Sequence, residues 1–379
     1  MRVFERSNAS PLAEWWRTVD KGLIAAALIL LGAGLVLSLA AGPAAALKTG
    51  MSDPFHYVYR QLAFAVASAV LLVIVSTMDS RWVRRTAAAV FVACFFLMAI
   101  VLLFGHEAKG AQRWLRIGGS TFQPSELMKP ALLVLCAWLL AQRERYSDIP
   151  WEWLAFALYA VTMGLLLMQP DVGQAVLISV SFFTVFFIAG LSWKWAVSFL
   201  GGGAALGALL YVLLPHVRRR VNSFINPTEY DTYQIDTARN AMERGGLFGV
   251  GPGEGEIKRL LPDAHNDFIF SVAGEEYGLV LCVGLAILFA VISIKGIVAA
   301  SQHPETYQRA AGVGLYALFG LHAAINMSVN LGLLPPKGMT LPMVSAGGSS
   351  LLGSALTLGM ALALTRLAPR ASLSRLRSA

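Results

Sequence analysis

Charge is scarce in this chain: 14% of its 379 residues are Asp, Glu, Lys or Arg and 56% are hydrophobic, whereas an ordinary soluble domain is roughly 25% charged. That argues against a soluble globular enzyme, because a fold of this length would leave large apolar patches in water. Cysteine is almost as sparse. Cys94, Cys136 and Cys282 sit inside apolar runs without C-x-x-C spacing, which argues against a disulfide framework or a zinc knuckle. The histidines are scattered and form no H-E-x-x-H pattern. Internal repeats and low-complexity linkers are also missing, so the chain reads as one integral domain.

Long apolar runs are plentiful. A spanning helix needs about 20 mostly apolar residues, and ten candidates meet that need, near 22–41, 61–78, 87–105, 127–142, 152–169, 172–191, 195–214, 268–294, 310–332 and 349–366. The expected fold is an all-α integral membrane protein of about ten transmembrane helices. A segment 1–21 precedes a polytopic domain 22–368, whose long loop 216–267 lies between helices 7 and 8, and a tail 369–379 follows. The first run is longer than the apolar region of a signal peptide and reads as an uncleaved anchor.

The net charge of +8 belongs to topology rather than to nucleic acid, since positive residues near span ends stay in the cytoplasm. Sixteen Lys and Arg collect on one side, among them Arg81, Arg84, Arg85 and Arg366, against seven on the other, so both termini are placed inside. The remaining seven, from Arg218 to Arg259, fall in the long outer loop and suit an anionic ligand or lipid phosphates. Within that loop the run GGLFGVGPGEGE (245–256) is no dinucleotide fingerprint, because no strand precedes it; flexible turns are expected.

Ionisable residues at membrane depth are expensive and mark sites by default. Pro124 suits a first helical turn, which puts Glu126 and Lys129 three residues apart on one face as a buried pair. Arg113 and Arg116, flanking Trp114, suit either a phosphate clamp or an interface belt. Asp171, after Gln169-Pro170, is expected to cap the following helix. Asp267, two residues after His265 and just before Phe268-Ile269-Phe270, is a partly desolvated carboxylate suited to accept a proton, or alternatively a helix cap. Glu275 and Glu276 lie deeper and have no partner visible in the sequence. Pro335-Pro336 and Pro342 break apolar sequence, which is tolerated only against protein or a wet cavity. Ser345, Gly347, Gly348, Ser349 and Ser350 then open a helix that suits either an anion or close helix packing, with Lys337 beside the break. Two classes fit: a transporter with broken helices, and a membrane enzyme acting on a lipid-linked anionic substrate at the outer face.

These same regions resemble the SEDS family of bacterial cell-wall proteins (shape, elongation, division and sporulation). GAQRWL (110–115), QPSELMK (123–129), QPDVGQA (169–175), GGLFGVGPGEG (245–255), HNDFIFSVAGEEYG (265–278) and NLGLLPPKGMTLPMVSAGGSSLL (330–352) follow the family's order over residues 22–368. The PPKGMTLP stretch is more similar to the division branch than to the rod-elongation branch. Asn266, where Thr is common, and Ala346, where Tyr is common, depart from the pattern.

The resemblance implies a peptidoglycan glycosyltransferase that polymerises lipid II at the outer face of the inner membrane. It also implies a class B penicillin-binding protein as septal transpeptidase partner, among other divisome membrane proteins. The family's essential aspartate falls on Asp267 and its Glu/Lys pair on Glu126 and Lys129. Asp267 would deprotonate the acceptor hydroxyl as it attacks the anomeric carbon with inversion. The set expected around the substrate is Lys109, Arg113, Gln123, Ser125, Glu126, Lys129, Asp171, His265, Lys337, Ser345, Gly347, Gly348 and Ser349. No resident cofactor is implied beyond room for a divalent cation, Mg2+ or Mn2+, at the pyrophosphate. A lipid II flippase, a non-catalytic scaffold and an elongation-type polymerase are the competing readings.

Overall fold

The computed structural model describes residues 11–108, 111–117, 120–190, 193–213, 233–335 and 338–366, together with positions 218 and 222. Lys109, Lys337, most of the stretch from 214 to 232 and the tail beyond 366 lie outside the described residues. A short helix α1 (Pro11–Thr18) is followed by α2 (Lys21–Lys48), α3 (His56–Ser76) and α4 (Ser80–Phe104). Next come α5 (Ser125–Gln142), α6 (Trp151–Met168), α7 (Val172–Ile188) and α8 (Trp193–Leu213). An amphipathic helix α9 (Tyr233–Gly245) and a 3-10 turn (Ile257–Arg259) precede α10 (Ile269–Ser301), α11 (Thr306–Asn330) and α12 (Gly348–Leu364).

Every apolar run singled out in the sequence lies on one of these helices. Seven of them, α2 to α6, α10 and α11, are long and apolar enough to cross a bilayer, while Val172–Ile188, Gly201–Leu213 and Gly348–Leu364 are shorter apolar helices. Aspartates set two of the starts: Asp20 accepts from the amides of Gly22 and Leu23, and Asp79 from that of Trp82. Lys295 at the far end of α10 pairs with Asp20 at 2.7 Å, tying those two ends together.

One stretch between helices is ordered strand. Residues between α4 and α5 form a small antiparallel sheet, β1 (His106–Ala108), β2 (Ala111–Ile117) and β3 (Ser120–Phe122), in the order β1-β2-β3. His106 pairs with Trp114 and Leu115 with Phe122, which sets the small sheet immediately before the start of α5. Short hairpins pair their own backbone groups, as a polar segment beside a membrane requires.

Burial separates centre from rim. About 67% of the apolar window of α5 and of α11 is buried, against 28% for α3 and α4 and 22% for α6. The short α12 is buried at nearly every position, so it forms the axis with α5 and α11. Lipid is as apolar as leucine, so small residues that let backbones approach carry much of the helix packing. A Cβ on Gly353 of α12 would stand 2.7 Å from the Glu126 carbonyl, and one on Gly34 of α2 would stand 2.6 Å from that of Val344.

Gly353→Ala is expected to destabilise the protein by about 1–3 kcal/mol through overpacking, read as a lower melting temperature in detergent. Gly164→Ala on α6, where an added Cβ meets nothing within 4 Å, is expected to leave the melting temperature unchanged or raise it. Equal effects at the two positions would sink the packing account.

Candidate functional site

Asp267 stands on the strap between the 3-10 turn and α10, and three successive carbonyls of that strap are held by other elements. The Ala346 amide donates to the His265 carbonyl at 3.0 Å, and Ser345 Oγ donates to that of Asn266 at 2.7 Å. Asn326 Nδ2 and Asn330 Nδ2, one turn apart on α11, donate to the Asp267 carbonyl at 2.9 and 3.0 Å. Asn330 Oδ1 accepts from the amide and hydroxyl of Ser271, fixing the first turn of α10 to the same residue. The N-cap position of α10 is Phe268, which makes no side-chain cap bond. Asp267 is therefore one residue before the N-cap position. Its side chain is half-buried. A Cβ on Gly338 would lie 3.7 Å from Asp267 Oδ2, and the Tyr57 ring packs 4.6 Å from that of His265.

A second polar group lies at the start of α5. Lys129 Nζ is 2.9 Å from Glu126 Oε2 and donates to Gln174 Oε1 at 2.8 Å, while Gln174 Nε2 donates to Glu126 Oε1 at 2.8 Å. Gln174 belongs to α7, whose first residue follows Asp171. That aspartate accepts from the Gln174 amide at 3.4 Å, from Gln123 Nε2 at 3.1 Å, and pairs with Arg113 at 3.0 Å. Capping by Asp171 is thus present, but Arg113 is committed to this carboxylate and is buried rather than open as a phosphate clamp. Burial pushes the Asp171 carboxyl above its usual range, with Arg113 pulling the other way. The four charges form two opposite pairs and balance to zero, which is how buried charges persist. Ser125 is buried beside it.

The broken stretch between α11 and α12 joins the two groups. Asn326 Nδ2 also donates to the Met339 carbonyl at 2.6 Å, Ser345 Oγ accepts from the Leu341 amide at 2.7 Å, and Thr340 bonds to Ser350 at 2.6 Å. Pro342 then lines a small cavity with Glu126, Lys129 and His322. Ser349 is buried, Gly347 caps α12, and a Cβ on Gly348 would stand 2.6 Å from the Phe64 ring. At this helix start the described hydroxyls of Ser345 and Ser350 bond to protein, and close packing, rather than an open anion cradle, is what the geometry supports.

The glycine-rich run is a correction of another kind. Its amides at Val250 and Gly251 donate to the carbonyls of Glu275 and Glu276, and the amides of Leu279 and Val280 donate back to Gly246 and Leu247. Gly278, at φ 75°, breaks α10 between the two sets. These residues are a packed ladder, with Gly245 against the Gly274 carbonyl and Gly249 against that of Glu276 at separations no Cβ allows. Lys258 supplies the partner of Glu276 that the sequence did not reveal.

The sequence reading missed Asn326, Asn330, Gln174 and Lys258. The asparagines carry a usable signal, since two amides four residues apart in an apolar helix need partners as surely as charges do. Among the described residues no three His, Cys, Asp or Glu side chains converge on one point. Lys109 and Lys337 lie outside the described residues.

Arg113→Met leaves Asp171 buried without its counter-charge and is expected to cost about 3–5 kcal/mol, whereas replacing both, as Arg113→Met with Asp171→Leu, recovers most of the loss. Melting in detergent checks this; a double variant as unstable as the single one would refute the pairing.

Comparison with known proteins places this geometry. A family model described as cell cycle protein (FtsW, RodA, SpoVE) matches residues 21–368. The chain is 46% identical over 371 residues, covering 97% of itself and 95% of the relative, to a probable peptidoglycan glycosyltransferase FtsW of Caulobacter vibrioides. It is 34% identical over 354 residues, 90% of itself and 94% of the relative, to one from Geobacter sulfurreducens. Among solved structures it is similar to a chain of a peptidoglycan synthase complex that coordinates polymerization and crosslinking, with TM-score 0.74, 29% identity and 92% and 97% of the two chains covered. It is also similar to the rod shape determining protein RodA of Thermus thermophilus, with TM-score 0.67, 30% identity and the same coverage. The chain is an all-α, multi-pass membrane protein and belongs to the FtsW/RodA/SpoVE family of cell cycle proteins.

Proposed function

We propose that the protein is a peptidoglycan glycosyltransferase of the division type, polymerising lipid II at the outer face of the cytoplasmic membrane, with Asp267 as general base. The observation that carries the mechanism is the half-buried Asp267 on a strap whose carbonyls at 265, 266 and 267 are each held from outside. A base works only when its carboxylate stays within hydrogen-bond reach of the acceptor hydroxyl, and a strap fixed at three consecutive residues supplies that constancy.

The reaction then runs as an inverting displacement. Asp267 takes the proton of the acceptor sugar's 4-hydroxyl, that oxygen attacks the donor's anomeric carbon, and undecaprenyl pyrophosphate leaves. Lys337, which precedes the Gly338 that lies against Asp267, and Lys109 are the basic residues proposed for the pyrophosphate. Arg113 acts at one remove, by holding Asp171 and with it the Glu126–Lys129 group. A divalent cation bound at the pyrophosphate would supply further neutralisation of the leaving group's charge.

The strap, the small sheet, the 169–171 hairpin and the break before α12 all stand at one end of the helix bundle. The excess of Lys and Arg at the other end supports placing these elements outside and both termini in the cytoplasm, with ten passes in all. The assigned partner is a class B penicillin-binding protein acting as septal transpeptidase. That choice is supported by the likeness to a subunit of a synthase complex. Other divisome membrane proteins as partners and enrichment at the septum belong to the same proposal, supported by the 46% identity to a relative called FtsW.

Purified protein with its cognate transpeptidase, transpeptidation blocked, is expected to convert labelled lipid II into glycan ladders. A folded Asp267→Asn variant is expected to lose at least about 100-fold in rate. Equal ladders from both proteins would remove Asp267 as base, and transfer of lipid II across a vesicle bilayer without polymer would favour a flippase.

A further inference from the structure

The strap that carries Asp267 is closed at its base. Glu275 lies on α10, and its carboxylate accepts from the amides of Ile257 and Lys258, both at 2.8 Å. Beside it Lys258 Nζ bonds to Glu276 and reaches the Gly253 carbonyl at 3.4 Å. Glu275, Glu276 and Lys258 are all buried. The chain therefore leaves this clamp at 258, runs out through Asp267 and returns to it at 275, with Asp267 close to the midpoint.

From this geometry we infer that Glu275 is a positioning residue for Asp267, and that the Lys258–Glu276 pair seals the clamp it forms. The reading rests on the glycosyltransferase proposal above. The clamp joins the strap to the helix that follows it, while Asn326, Asn330 and Ser345 hold the apex from α11 and the break. Two fixed points are needed because a loop held only at its apex can still pivot, and a displacement of about 1 Å at a reacting group lowers rate by as much as about 100-fold. A carboxylate accepting two amide bonds is a stronger anchor than a neutral acceptor. Gly255 shows how closely the clamp is built: a Cβ there would stand 3.0 Å from the Glu275 carboxyl.

The test compares wild type with Glu275→Gln and Gly255→Ala, the second crowding the carboxylate without changing its charge. Polymerisation by the purified protein with its cognate transpeptidase supplies kcat and KM. Hydrogen exchange of the 257 and 258 amides reads the clamp, and melting in detergent reads the fold. The expected result is faster exchange at these amides by at least about tenfold. A fall in kcat of at least about tenfold should accompany it, with KM for lipid II within about threefold and the melting temperature kept. A folded variant with faster exchange and wild-type kcat overturns the positioning role, as does a loss confined to KM. Rapid exchange at both amides in the wild type overturns the clamp itself. A wild type whose clamp is protected but which makes no glycan overturns the glycosyltransferase reading, and the catalytic part of this inference with it. If Glu275→Gln fails to fold, Gly255→Ala decides.

Discussion

Two asparagine side chains on α11 tie separate pieces of the backbone around Asp267 together. Asn326 and Asn330 share the Asp267 carbonyl, Asn326 takes the Met339 carbonyl as well, and Asn330 receives the amide and hydroxyl of Ser271. Three pieces of backbone thereby meet on one helix face: the strap, the first turn of α10 and the break before α12. Irregular backbone is stable at membrane depth only when its polar groups are satisfied by protein. Amides suit the task because each presents donors and an acceptor without a charge to desolvate.

The charged groups follow the same rule in a different way. Arg113 with Asp171 and Lys129 with Glu126 are two oppositely charged pairs linked through Gln174, with Gln123 also on Asp171, drawn from the small sheet, the starts of α5 and α7 and the hairpin between α6 and α7. Such a network adds little net stability over apolar packing, yet removing one member is costly, so it specifies one arrangement of helix ends. Lys258 and Glu276 repeat the device on α10. In both places a residue whose partner the sequence does not reveal neutralises a neighbour.

Packing supplies the rigidity that these bonds presuppose. α12 is short but buried throughout, and its glycine at 353 lets it press on the carbonyl of Glu126. The polar network at the start of α5 and the serine-rich start of α12 are consequently one piece. α3, α4 and α6 present apolar side chains to lipid around it. A site assembled from so many elements can be fixed only if the helices carrying them cannot slide, and close backbone contact gives that.

Much of this was legible in the amino-acid sequence because the signals are local. Hydropathy over a window of about 20 residues marks a helix wherever its partners lie, and each expected run does lie on one. The Glu126–Lys129 pair was visible because helical geometry joins residues three apart, and Asp267 because a carboxylate before an apolar run is conspicuous. Tertiary structure alone decided the rest. Gln174 meets residues 45 and 48 positions away, Asn330 reaches Ser271 across 59, and Gln61 donates to a carbonyl 283 residues further on. Nothing in a local pattern encodes such separations. In the sequence Arg113 suits a clamp or an interface belt equally, the glycine run reads as flexible turns and Glu276 shows no partner, because a buried polar group's role is set by what lies across the helix interface. The sequence states only that a partner must exist, since a charge in hydrocarbon without one is too costly to keep.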